Sequence, residues 1–108
     1  MDTPLLIQDL NHAFGLELAE TATAEALQAL LAEKINALIR NDFGALVQLL
    51  YRVDVNESKL RLLLEENADE DAGNLIAGLI IERQWQKIET RQRYRRNESA
   101  GENEEERW

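Results

Sequence analysis

The 108-residue chain is 44% hydrophobic and 31% charged, a globular balance on the scale of one domain that argues against intrinsic disorder. A formal net charge of −9 weighs against broad affinity for nucleic acid or anionic lipid. The absence of cysteine removes disulfides, thiolate metal sites and a cysteine nucleophile, and fits a reducing cytoplasm.

Helical punctuation recurs along the sequence. In "TPLL", Thr3 is the expected N-cap and Pro4 the first helical residue, where a missing N–H costs nothing. This helix should end near Phe14, at Gly15. The opening stretch has neither a basic n-region nor a continuous apolar core, so a secretory signal is not expected. No apolar run approaches the roughly 18 residues of a membrane-spanning helix. The expectation is a soluble, cytoplasmic protein without a membrane partner.

Thr21 or Thr23 can cap a second helix, whose Leu27, Leu30, Leu31, Ile35, Leu38 and Ile39 follow helical periodicity. Asn41 or Asp42 then offers a break and a fresh cap. Phe43, Leu46, Val47 and Leu50 continue at i, i+3, i+4, i+7 and define the expected apolar face of a third helix. Asp54 and Glu57 form a D-x-x-E arrangement resembling a capping box, ahead of a face of Leu60, Leu63 and Leu64. Asn67 and Glu70 repeat it before the longest helix, expected from about Asp69 to the region of Arg95. These elements predict an all-α fold: a compact bundle or array of about five helices with a long C-terminal helix. Residues 1–96 make the domain, and residues 97–108 an acidic, flexible tail.

Charge is segregated. Residues 83–96 carry six basic side chains against Glu89 alone, a net +5, whereas residues 1–82 carry −10 and residues 97–108 carry −4. The acid-rich "DED" start and arginine-rich end of the last helix would complement its dipole, each by about 0.3–1 kcal/mol. The basic collar therefore has a structural explanation that requires no ligand. As a binding surface, its arginines could meet phosphates while Trp85 and Tyr94 stack on bases. That is the alternative reading, nucleic-acid association through residues 83–96.

Placed on a helical wheel at about 100° per residue, Ala72, Ile76, Leu79 and Ile80 fall on one side, with Ile81, Trp85 and Ile88 nearly opposite. Either the helix is sandwiched centrally, or the second stripe meets another molecule. The candidate interaction surface is therefore Ile81, Trp85 and Ile88, flanked by Arg91, Arg93 and Tyr94, with a homodimer or another protein as partner.

Catalytic signals are sparse. His12, the lone histidine, stands three residues after Asp9, a spacing that suits a shared metal or an Asp–His pair but also an ordinary surface position. "NADEDAGN" supplies Asn67, Asp69 and Asp71 at calcium-loop spacing. Ala72, however, replaces the required glycine, and Gly78 the bidentate glutamate. No nucleophile elbow or glycine-rich phosphate loop occurs. No catalytic residue, cofactor or metal site is assigned, and a non-enzymatic protein is expected.

The segments "LIRNDFGALVQLLYRVDVNESKL" and "AGNLIAGLIIERQWQKIETRQRY" resemble a family of short, uncharacterised all-helical bacterial proteins. The resemblance spans about Ile35 to Tyr94 and rests on a D-F pair, a Y-R-x-D-V segment and an I-I-E-R-Q helix ending in K-I-x-T-R. It implies a helical cytoplasmic domain and carries over no catalytic residue.

Overall fold

The helical caps organise the chain, and the computed structural model describes the backbone of residues 1–105 and the side chains of residues 1–95. Helix α1 spans Thr3–Phe14 and is capped by Asp2, whose carboxylate accepts from the Leu5 N–H at 3.1 Å. The cap thus lies one residue before the expected Thr3, which becomes the first residue of the helix. Gly15 closes α1 at φ 64°, the left-handed conformation that only a residue without Cβ adopts at little cost. In the following loop, Asn11 clips Leu18 from both sides. Its amide donates to the Leu18 carbonyl at 3.0 Å, and its Oδ1 accepts from the Leu18 N–H at 2.9 Å. Leu18 is thereby turned into the core without orphaning its backbone.

Thr23 caps α2 (Ala24–Asn41), and Asp42 caps α3 (Phe43–Val53) through the Ala45 N–H at 3.1 Å. Helix α4 (Glu57–Glu66) is capped by Asn56, not by the expected Asp54–Glu57 box. Asp54 instead ends α3 in the left-handed region, at φ 64°. Asn67 ends α4 without a left-handed backbone, its side-chain amide donating to the Leu63 carbonyl at 2.9 Å. Helix α5 (Ala72–Glu105) begins three residues later than expected. Asp71 is its opening residue: its carbonyl accepts from the Leu75 N–H and its carboxylate from the Gly73 N–H at 2.9 Å.

The result is an all-α array of five helices, with no strand among the described residues. Helices α2 and α5 form the most extensive pairing, and α5 also meets α1, α3 and α4. One core joins Leu6, Ile7 and Leu10 of α1, Leu27, Leu31 and Ile35 of α2, Leu46, Leu49 and Val53 of α3, and Ile76, Ala77, Ile80 and Ile88 of α5. Each large side chain so enclosed contributes about 1.5–3 kcal/mol relative to exposure. Helix α4 is the exception, burying no residue completely.

Two expectations about α5 change. It does not stop near Arg95 but continues to Glu105, which places residues 83–96 more than one turn before that point. Dipole compensation, which fades within one turn of a helix end, therefore does not account for the collar. Nor are its two apolar stripes separate. Buried Gln84 and Ala77 fill the gap between Ile80 and Ile88, merging the stripes into one broad face that four neighbours cover. Among the described residues, no helix is long and apolar enough to cross a membrane.

Candidate functional site

The six residues singled out on α5 separate into three environments. Ile88 is only 3% exposed and belongs to the core. Ile81 and Trp85 are half-buried and pack against that core from its edge. Arg91 is exposed but ion-paired, its Nη2 lying 3.0 Å from the Asp9 Oδ1. Arg93 and Tyr94 face outward without an ion pair or hydrogen bond among the described residues, and Tyr94 is 64% exposed. The six do not make one continuous face.

The rest of the collar is largely engaged by the domain. Arg83 donates from Nε to the Asp54 carbonyl at 3.1 Å and from Nη2 to the Asp54 carboxylate at 3.2 Å. Lys87 reaches only a backbone oxygen, the Arg52 carbonyl, at 3.4 Å. Burial, followed by the nearby charge of Arg83, lowers the Lys87 pKa from the ordinary lysine value. Arg52 turns toward α1, donating to the Ala13 carbonyl at 2.6 Å with its guanidinium 5.4 Å from the Phe14 ring centroid. Arg95 is exposed, and the side chains of Arg96 and the expected tail, 97–108, lie outside the described residues.

His12 and Asp9 do share one cleft. The Asp9 carboxylate, however, takes its hydrogen bonds from Arg91 on one oxygen and the buried Gln84 amide on the other. Asp9 is therefore a tether between α1 and α5. The residues at calcium-loop spacing have separate structural duties, Asn67 closing α4 and Asp71 opening α5.

A different surface emerges on α3. Its inward face is Leu46, Leu49 and Val53, whereas Phe43 and Val47, expected on the same face as Leu46, are 61% and 50% exposed. With Tyr51, at 86% exposed, they form an i, i+4, i+8 stripe along solvent. The stripe borders a groove of about 590 Å³ between α3 and α4, floored by Leu50, Val55 and Leu60. Asp54 and Glu57 stand on its rim, and among the described residues no basic side chain lines it. The clue in the sequence is that "FGALVQLLYRV" is apolar around most of its circumference, more than one buried face of a peripheral helix requires.

Among the described residues, no three His, Cys, Asp or Glu side chains are grouped to hold a metal ion. Comparison with family models, curated proteins and solved structures gives no match for the chain.

Proposed function

We propose that this protein is a non-enzymatic, cytoplasmic protein-interaction domain whose docking surface is the α3–α4 groove. The observation carrying this reading is the outward stripe of Phe43, Val47 and Tyr51 on a helix whose Leu46, Leu49 and Val53 already satisfy the core. Apolar side chains aligned along a groove suit an amphipathic helix, which inserts anchors at i, i+3 or i+4, and i+7. Aromatic residues at the mouth add area at low conformational cost, as in many contact hot spots.

Charge selects the occupant. The rim is acidic and the whole chain carries −9, so two such grooves meeting face to face would bring like charges together. The expected partner is a separate protein presenting an apolar helical stripe edged with Lys or Arg. This moves the proposed contact from the C-terminal helix, where Ile88 is enclosed, to α3 and α4. Nucleic-acid association has less support, because the adjoining phosphates of a polymer would meet Asp54 and Asp9 beside Arg83 and Arg91, on a chain of net charge −9.

A photo-crosslinking residue placed at position 51 in the full chain, in cells, tests the reading. The expected product is a crosslink to a basic-edged helical segment of another protein, identified by mass spectrometry and lost on Val47→Glu. A crosslink to a second copy of this chain would replace the proposed partner with self-association. No product at position 51, or one insensitive to Val47→Glu, would overturn the groove as the docking surface.

A further inference from the structure

Helix α5 builds a second concave surface, against α1, that the protein-contact reading does not use. Arg83, Lys87 and Arg91 stand on successive turns of one stripe and line a cleft of about 540 Å³ with His12, Thr90 and Asp9. Three cations against one carboxylate give this lining a net charge of +2 with His12 neutral, on a chain of opposite overall sign.

The pairing within the stripe is uneven. Arg83 and Arg91, at its ends, are fixed by Asp54 and Asp9. Between them, among the described residues, Lys87 has no carboxylate partner, only the Arg52 carbonyl at 3.4 Å. An ammonium group carries three donors, so most of its hydrogen-bonding capacity remains available. Gln84 lines the same cleft, and its buried amide donates to Asp9, holding that carboxylate beside Arg91.

We propose that the α1–α5 cleft binds a small phosphate-bearing anion. Lys87 is the principal contact to the phosphate, and Arg91 and Thr90 orient it. Charge-assisted bonds from an ammonium or guanidinium are the strong ones in such a site, and two fixed arginines spare the entropy of ordering them on binding. The concave shape and acidic surroundings favour a small molecule over a polymer, whose adjoining phosphates would meet the domain's carboxylates. Burial also disfavours the ammonium form of half-buried Lys87, a cost that a bound phosphate would offset.

The test titrates the full chain with glycerol 3-phosphate, inorganic phosphate and a short single-stranded oligonucleotide at fixed ionic strength, using amide shifts and calorimetry. Glycerol 3-phosphate is expected to bind with a Kd of about 1 mM or lower, moving the amides of Gln84, Lys87 and Thr90. Inorganic phosphate, which offers the same contacts to Lys87, Thr90 and Arg91, is expected to bind with comparable affinity. Lys87→Met keeps the buried stem and should weaken the ester about tenfold, while exposed Arg95→Ala leaves it unchanged. Circular dichroism confirms that each variant is folded. Absence of saturable ester binding, equal losses in the Lys87 and Arg95 variants, or tighter oligonucleotide binding with a steep salt dependence would each overturn the proposal.

Discussion

Arg83 holds Asp54 by two separate atoms, the backbone carbonyl at 3.1 Å and the carboxylate at 3.2 Å. Asp54 is also the residue that ends α3 in the left-handed conformation. One side chain from α5 thus fixes the corner at which the chain turns from α3 into α4. Because the pair is partly exposed, its contribution is modest: Arg83→Ala should lower stability by about 0.5–1 kcal/mol. Asp54→Val should cost more, about 1–2 kcal/mol for the β-branched side chain at positive φ, added to loss of the ion pair. Asp54→Asn, which tolerates that conformation, should fall near Arg83→Ala. Urea midpoints of the three variants check the order.

Gly73 of α5 faces Asn36 of α2 with no room between them for a Cβ. A Cβ at position 73 would overlap the Asn36 carboxamide, which is fixed by hydrogen bonds of 2.9 and 3.1 Å to Asp71. Gly73→Ala would normally strengthen a helix by about 1 kcal/mol. Here the expected result is a net loss of about 1–2 kcal/mol from displaced packing and hydrogen bonds. In Asn36→Ala the same substitution should regain its helix-stabilising sign, a non-additivity that a double-mutant cycle measures.

The same contact predicts a pH dependence. The Asn36 side chain, followed by smaller effects including the Gly73 and Asn74 N–H groups, lowers the Asp71 pKa from the ordinary carboxylate value. A depressed folded pKa gives stability that is complete above the unfolded value of about 4 and disappears as pH falls through the folded one. The wild-type advantage over Asn36→Ala should therefore shrink on acidification below about pH 4. Thermal unfolding of both proteins across that range measures the change.

For Lys87 the sign is reversed. Burial and the charge of Arg83 disfavour its ammonium form in the folded state, against smaller support from Asp54 and Asp9. The cost is present while both states are protonated and fades as pH rises through the lowered folded pKa toward the unfolded value of about 10.4. Lys87→Met should thus match or exceed wild-type stability at neutral pH, with any electrostatic gain declining in alkaline solution. Denaturation at neutral and alkaline pH provides the comparison.

Ile88 and Trp85 should respond differently to truncation. Ile88→Ala opens space in the core and should cost about 2–5 kcal/mol. Trp85→Ala removes a half-buried edge contact and should cost about 1–3 kcal/mol, without changing the solution mass. Denaturant melts combined with sedimentation equilibrium would expose a hidden α5–α5 seam as a drop in mass on the tryptophan substitution.

Local signals made much of the fold legible. Gly15 after Phe14 declares a helix end through its left-handed backbone, and Thr23 before Ala24 and Asp42 before Phe43 declare helix starts through hydrogen bonds made within a few residues. Asp54 misled because D-x-x-E describes a capping box equally well whether the aspartate opens one helix or closes another. Only the tertiary pull of Arg83 distinguishes the two. The surfaces were less legible for a related reason. A helical wheel gives angular positions but not the arc that neighbours cover. Four helices enclose α5 widely enough to take in Ile88, whereas α3 has cover for Leu46 but not Val47. The α1–α5 cleft joins residues some 80 positions apart, as in the Asp9–Arg91 ion pair, and no local spacing announces it.

Helix α4 contributes ten residues yet no fully buried side chain. Its Lys59–Glu82 bridge to α5 is solvent-exposed on both sides, so releasing α4 sacrifices little of the central packing. Its amides should exchange with deuterium ahead of those in α2 and the inner turns of α5, through an opening well short of global unfolding. Because α4 forms one wall of the apolar groove, the groove's width is adjustable by the least securely anchored helix, allowing anchors of different size to be seated without disturbing the α2–α5 spine.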